Sequence, residues 1–420
     1  MKILVVVDSI DVEDSSGSKA NVALINNLAK AGYDVVVYHY SRKDIQLSGM
    51  SCFAIAEIKY SALYFMSRAQ RMIQRNSTIN LAPFFEKLFG FSFTFFNDCR
   101  SIVKALEKQS FRADLVLTLS KGGSFRPHYA LLKLPQLHDK WMAYIHDPYP
   151  FYYYPVPYKW LEPSHKFKEA FFKEVAERAK YSGFPSLLLK EWMGRYFSKF
   201  LDTGLVIPHQ NAKSNLNNPD DTINFLDYLD LSKFNLLHAG NLLDARSPQG
   251  LIEAFKLFLE RNPDATKDVR LLLIGPSSHF SNLIQSYQEV LPELVVKNEN
   301  VKFDTVYQVQ QQVTVNIILE AKSEISPFLP GKFPHCVESN KMILSLAPSN
   351  CEVRRLLGKD YPYWSEVDDI ESIAEIIEKM YFMWKQNPED LLLNRPDLEQ
   401  YVSAAYLKQI MDELYLSSSN

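Results

Sequence analysis

Three short stretches of this chain carry side chains that could meet a ligand. The first is His146-Asp147, a base and an acid placed directly after the apolar run 142–145. Such a pair can move a proton or orient a sugar hydroxyl. Pro-Tyr-Pro-Phe-Tyr-Tyr-Tyr follows, and its Tyr149 and Tyr152 could offer a stacking face to a sugar or a lipid. The plainer alternatives are a loop hydrogen-bond pair and an aromatic core. The second stretch is Gly240-Asn241 with Arg246 five positions on, just before an apolar-periodic segment. Glycine lets backbone approach a ligand closely, a helix start favours an anion, and a guanidinium can grip phosphate oxygens bidentately. A tight turn and a solvated charge would explain the same spacing. The third is Ser326-Pro-Phe-Leu-Pro-Gly331-Lys332-Phe-Pro-His335, stiffened by prolines and opening a helix. A lysine at a helix start costs roughly a few tenths of a kcal/mol unless an anion offsets it, which points to phosphate; an exposed lysine on a rigid loop is the alternative.

Other chemistries lack their residues. The loop around Gly17 has one glycine and no G-x-G-x-x-G, and the second strand ends in Tyr40-Ser-Arg-Lys43 with no acid for a ribose, which disfavours a nicotinamide site. Gly331-Lys332 is followed by Phe and Gly358-Lys359 by Asp, so there is no P-loop. G-x-S-x-G and D-x-D are absent, and the nine histidines have no metal-ligand spacing. No metal and no cofactor are expected. Cys52, Cys99, Cys336 and Cys351 form no C-x-x-C pair, so a disulfide framework or thioredoxin-type chemistry is not expected.

The elements that must position these residues alternate. Residues 3–7 read as a doubly covered strand, 8–18 as a polar loop, then a helix with Val22, Ile25, Leu28 and Ala29 on one face, Gly32 as its cap, and a strand at 35–40. That is a βαβ unit and predicts a parallel sheet. Residues 60–110 look helical, with Arg68, Arg71 and Arg75 among apolar positions and a run of phenylalanines from Phe84 to Phe96. Strands return at 115–119, 142–145 and 205–208, with helices up to about 200. Residues 211–222, rich in Asn, read as a linker. The opening plan then recurs: strand 235–239, loop 240–248, helix 249–261, strand 269–274, then strands at 301–303, 315–319 and 342–346. Two amphipathic helices, 370–384 and 398–415, close the chain.

Length supports this two-domain plan: 420 residues, 47% hydrophobic, with 46 basic against 49 acidic residues. A net charge of −3 gives no reason to expect nucleic acid as a partner. The apolar run 3–7 is shorter than a secretory leader needs and no run reaches a membrane span, so a cytoplasmic location is expected, with peripheral contact at the inner membrane face through segment 60–100 as a further expectation; a buried helical insertion is its alternative.

Taken together, these residues resemble the two-domain GT-B glycosyltransferases, and among them the retaining group of glycosyltransferase family 4 (glycosyl transferases group 1). The resemblance rests on LLHAGNLLDARSPQGLIEAF (236–255), RLLLIGPSS (270–278), SPFLPGKFPHCVESNKMILSLAP (326–348) and WMAYIHDPYP (141–150). Gly17 stands where that family has its N-terminal glycine loop. It implies an α/β fold of two Rossmann-like parallel-sheet domains facing across a cleft. Their expected bounds are 1–212 on the acceptor side and 213–395 for the nucleotide sugar, with 396–420 crossing back to the first domain.

By this resemblance, Arg246 and Lys332 hold the diphosphate of a nucleotide diphosphate sugar without a metal. Gly17, Gly240, Asn241, Ser326, Gly331 and His335 join them on the donor side. His146 and Asp147 lie at the reacting sugar or acceptor, and Tyr149 and Tyr152 face an acceptor that is a glycan or lipid-linked glycan. The implied setting is surface polysaccharide or glycoconjugate assembly. Three positions depart from the family pattern: His335 stands where a ribose-binding Glu is usual, Ser326 near an upstream Glu, and Met342 at a usual proline. A nucleotide-sugar epimerase of the same fold would need cleft carboxylates, for which Asp147 alone is available. A non-catalytic nucleotide-sugar-binding subunit is the third alternative.

Overall fold

The computed structural model describes residues 1–76, 81–211 and 229–418. In chain order the first part runs β1 (Lys2–Val7), α1 (Ser16–Lys30), β2 (Asp34–His39), β3 (Ser51–Ala54), α2 (Ala62–Asn76), α3 (Ala82–Phe89), α4 (Phe93–Lys108), β4 (Leu115–Leu119), α5 (Arg126–Leu131), β5 (Trp141–Tyr144), α6 (His165–Arg178), β6 (Tyr181–Phe184), α7 (Leu187–Gly194), α8 (Lys199–Thr203) and β7 (Gly204–Val206). The second part runs β8 (Phe234–Ala239), α9 (Gln249–Arg261), β9 (Val269–Ile274), α10 (Ser281–Gln288), β10 (Leu294–Lys297), α11 (Phe303–Gln312), β11 (Val315–Leu319), α12 (Phe333–Glu338), β12 (Met342–Leu346), α13 (Glu352–Leu357), β13 (Trp364–Ser365), α14 (Ile370–Gln386) and α15 (Pro396–Tyr401), and α16 (Ala404–Ser418) ends the chain.

The chain forms two compact units. One comprises 1–154, 158–210 and 403–420; the other 155–157 and 211–402. The sequence suggested boundaries at 212 and 396. The residues after 211 that read as a linker lie, from 212 to 222, outside the described residues.

Among the described residues the first unit has a seven-stranded parallel sheet in the order β3-β2-β1-β4-β5-β6-β7. Apart from Lys2, β1 is buried along its whole length because helices cover both faces. Ser15 caps α1 by accepting the Ser18 N–H at 3.1 Å. On one face, Ile25 and Leu28 pack with Leu407 and Met411 of α16; Tyr33 donates to Asp412 at 2.6 Å and ties the tail to the same unit. On the other face, Phe95, Phe125, Phe171 and Phe172 lead an aromatic core.

The second unit's sheet runs β10-β9-β8-β11-β12-β13, again parallel. In both sheets the chain order reverses beside the first strand, between β1 and β4 and between β8 and β11. Ligands of doubly wound sheets bind at the carboxyl ends of the strands flanking such a reversal.

Several elements differ from expectation. Residues 301–303 are not a strand: Lys302 precedes α11, and the edge strand is β10, whose Leu-Val-Val-Lys pairs with β9. Two apolar residues around a lysine are too short a pattern to separate a strand from a helix start. The segment 398–415 is two helices. Pro396 opens α15, and Ser403 restarts the chain by accepting the Tyr406 N–H at 3.2 Å, where it passes from one unit to the other. Strands β3 and β6, Ser-Cys-Phe-Ala and Tyr-Ser-Gly-Phe, have no strand signature of their own and exist because a neighbouring strand templates them.

Candidate functional site

In the second unit the carboxyl end of β8 gathers the charged groups. Gly240 follows β8 at φ +148° and Gly275 follows β9 at φ +132°, conformations that side chains rarely adopt. The two turns touch: a Cβ on Gly275 would stand 2.6 Å from the Gly240 carbonyl oxygen. Over them lies Lys332. Its Nζ is 3.3 Å from where a Gly240 Cβ would be and donates to His238 Nδ1 at 3.3 Å. Burial, followed by the charges of Lys332 and Arg246, holds the His238 pKa well below its ordinary range, so the imidazole stays neutral and can accept.

Arg246 donates from Nη1 to the Asn241 carbonyl at 3.3 Å, which curls its side chain back over the turn after β8. Its charge acts on Lys332: burial first, then Arg246, pushes the ammonium down to about 7. Arg246 and Lys332 are thus brought together, although far apart in the chain. The two cations act on one another beside the turn after β8.

The acid beside them is Glu320, directly after β11 and 5% exposed. One of its oxygens accepts from the Ser326 hydroxyl, and the other has no hydrogen-bond partner among the described residues. Burial pushes Glu320 up to about 7, against the opposing pull of Ser326, Arg246 and Lys332. Glu320 was missed by the sequence reading, although its place at the end of β11 matches that of Gly240 after β8. His238, one residue inside β8, was missed as well and has no signal of its own.

The remaining donor-side candidates scatter. Ser326 serves Glu320. Asn241 is exposed and takes part through its carbonyl. Gly331 is exposed, and a Cβ there would meet nothing within 4 Å, so packing does not require glycine. His335 is turned against α11, its ring 5.3 Å from Phe303 and 5.7 Å from Tyr307, because the third helical position of α12 points into the core.

In the first unit, the ends of β1, β4 and β5 meet the start of α1. Asn21 of α1 donates to the Ser120 carbonyl at 3.0 Å, which turns its Oδ1 to His146 Nε2 at 2.7 Å. Nε2 must therefore carry the hydrogen, leaving Nδ1 as a bare lone pair with no hydrogen-bond partner among the described residues. The ring stacks on His209 at 5.7 Å. Burial and His209 hold His146 well below its usual pKa, so it is a neutral base. Burial pushes the adjacent Asp147 up to about 6. Gly17, in the first turn of α1, packs near the loop after β4: its Cβ would be 3.4 Å from the Gly122 nitrogen. Asp8, at the end of β1 and unnoticed in the sequence, binds that loop through the Lys121 N–H at 3.2 Å and the Ser124 hydroxyl.

The two tyrosines separate. Tyr149 is 2% exposed, its ring 4.7 Å from Phe125 and 5.1 Å from Phe172. It is a core residue instead of an acceptor-facing one, since the aromatic cluster under β5 claims its whole ring. Tyr152 is 37% exposed, with the Lys159 ammonium 4.0 Å from its ring centre. Among the described residues no group of His, Cys, Asp or Glu is placed to hold a metal ion, all four cysteines are free and buried, and no helix is long and apolar enough to cross a membrane.

Two Rossmann-like parallel-sheet units of this topology make up the GT-B fold. No protein-family model matches the sequence, and no curated protein matches it. Solved structures do. Sucrose-phosphate synthase from Thermosynechococcus elongatus is similar with a TM-score of 0.65 at 13% identity, over 99% of this chain and 99% of that one. A glycosyltransferase from Rickettsia africae has a TM-score of 0.61 at 12% identity, over 100% and 98%. HepE from Anabaena, in complex with UDP and glucose, has a TM-score of 0.61 at 11% identity, over 99% and 100%. At such identities the likeness establishes the fold.

Proposed function

We propose that this protein is a glycosyltransferase of the retaining, family 4-like kind. It moves a hexose from a nucleotide diphosphate sugar to a glycan or lipid-linked glycan, without a metal, in polysaccharide or glycoconjugate assembly at the cytoplasmic side of a membrane. One observation carries the reading: Arg246 and Lys332 converge on the glycine turn after β8, beside the strand-order reversal of the second unit. As the bond from the anomeric carbon to the diphosphate breaks, negative charge builds on the departing oxygen. Two preorganised cations in a partly dry site stabilise it without reorganisation. The UDP and glucose of the HepE crystal are consistent with that chemistry.

In this reading the second unit holds the donor and the first serves the acceptor. His146 Nδ1 receives or relays a proton, Asn21 fixes its tautomer, and Asp147 lies beside it. Glu320 and Ser326 accept hydroxyls on the donor side, a duty that His335 cannot take while packed against α11.

Incubation with a panel of nucleotide sugars tests the reading. Release of nucleoside diphosphate together with a glycosylated acceptor supports it. An epimerised donor identifies an isomerase, and binding without turnover identifies a sugar-nucleotide-binding subunit; either result replaces it.

A further inference from the structure

Among the described residues of the first unit, one helical layer is largely exposed. On α2 the only buried residue is Ser67, while Phe65 is 60% and Met72 65% exposed. On α3, Phe84 is 59% and Leu88 52% exposed. A cavity of about 550 Å³ opens among Leu63 and Met66 of α2, Phe89 of α3, Phe93 and Phe96 of α4 and Tyr129 of α5, and its lining is almost wholly apolar. That volume lies within the range of roughly 300–1,000 Å³ usual for small-molecule sites, and the mostly apolar lining suits an apolar ligand.

Charge surrounds the opening. Arg100 and Lys133 stand at the cavity, with Lys133 Nζ 5.2 Å from the Tyr129 ring centre. Residues 60–108 carry seven Lys and Arg against three Asp and Glu, in a chain whose net charge is −3. One of those three acids, Asp98, is buried and already bound by Arg42 and Arg126. Arg68 pairs with Glu57 at 3.6 Å, and the remaining Arg71, Arg75, Lys87, Arg100, Lys104 and Lys108 are exposed. Contiguous apolar surface of this kind marks an interaction site. Apolar faces rimmed by arginine and lysine suit the boundary between anionic headgroups and hydrocarbon.

We propose that α2, α3 and the start of α4 seat the first unit on an anionic lipid bilayer, and that the cavity takes up one hydrocarbon chain of a lipid. The exposed Phe65, Met72, Phe84 and Leu88 enter the headgroup boundary, and Arg71, Arg75 and Arg100 meet lipid phosphates. The inference builds on the lipid-linked acceptor reading above. It is tested without any sugar nucleotide, so failure of transfer and failure of docking are told apart.

The test is sedimentation of the full chain with vesicles of phosphatidylcholine alone, or with phosphatidylglycerol added. Partition onto the anionic vesicles is expected to be at least tenfold stronger, and to fall with added salt. Arg71→Glu with Arg75→Glu should remove most of that preference. Met72→Ser with Phe84→Ser, at exposed positions that cannot unfold the core, should weaken partition at least tenfold. A fluorescent polyene fatty acid should bind the wild type, and Met66→Trp, which fills the cavity, should weaken that binding at least tenfold while the arginine variant retains it. Equal partition onto neutral and anionic vesicles overturns the bilayer assignment. So does a concentration-dependent dimer that the Ser variants dissolve, which would make a second copy the occupant. Fatty-acid binding that Met66→Trp leaves intact overturns the role of the cavity.

Discussion

Donor affinity should depend on pH through Lys332. Its ammonium is pushed down to about 7 by burial and by Arg246. A diphosphate placed between the two cations supplies the missing anion and raises that pKa, so binding takes up a proton. With a free-protein value of about 7, Lys332 is mostly protonated at about pH 6 and mostly neutral at about pH 8, so the dissociation constant should rise about tenfold between them, about 1.4 kcal/mol. Glu320, pushed up to about 7, ionises over the same interval and repels the ligand, adding in the same direction. A nucleotide sugar is the right probe, because neither of its phosphates titrates in that range. Lys332→Met should weaken binding by about 1.5–3 kcal/mol at pH 6, the worth of a charge-assisted contact, and flatten the pH dependence.

The same variant has a stability readout. A lysine whose folded pKa is lowered destabilises the native state below about pH 7, and that cost fades as pH rises toward the unfolded value near 10.5. Lys332→Met should therefore raise stability by about 2–3 kcal/mol near pH 6, after allowing for partial exposure of the residue, with the gain shrinking in alkali. Calorimetric titration at the two pH values and thermal melts across the range measure both. Identical wild-type affinity at pH 6 and pH 8, together with an unaffected Lys332→Met, would refute the argument.

Three further outcomes are expected. Gly275→Ala drives a Cβ to 2.6 Å from the Gly240 carbonyl at φ +132°, and should cost about 1–3 kcal/mol of stability with a loss of donor affinity; denaturant melts and titration read the two. Ser326→Ala removes the hydroxyl that Glu320 accepts and should cost about 1–3 kcal/mol near neutral pH, and less in acid, where Glu320 is protonated; urea titration at two pH values checks it. Asn21→Ala frees the His146 tautomer and should lower the transfer rate about 10²-fold or more while leaving donor affinity unchanged; an equal fall in affinity would place His146 elsewhere in the scheme.

Much of the architecture was legible because buried parallel strands write themselves as short valine- and leucine-rich runs. Residues 115–119, 269–274, 315–319 and 342–346 and the helix 249–261 lie where the pattern puts them. Edge strands failed the same test. β3 has one buried residue, Cys52, and is held by backbone pairing with β2 and by Phe53 stacked on Tyr38 at 5.1 Å, so no hydrophobic pattern of its own announces it. The false strand at 301–303 failed for the opposite reason, since two apolar residues satisfied a short template without a neighbour to pair with.

Local order in the chain determined that two glycine turns follow two strands, that Arg246 precedes a helix, and that Lys332 opens one. Those are properties of adjacent residues, and adjacent residues encode them. Whether a tyrosine such as Tyr149 fills a core or faces a ligand, whether His335 turns inward, and whether Glu320 stands under two cations depended on elements distant in sequence. Spacing along a chain carries no information about that proximity. Only the packed sheets, by bringing the ends of β8 and β11 side by side, decided which charges would have to share one poorly solvated volume.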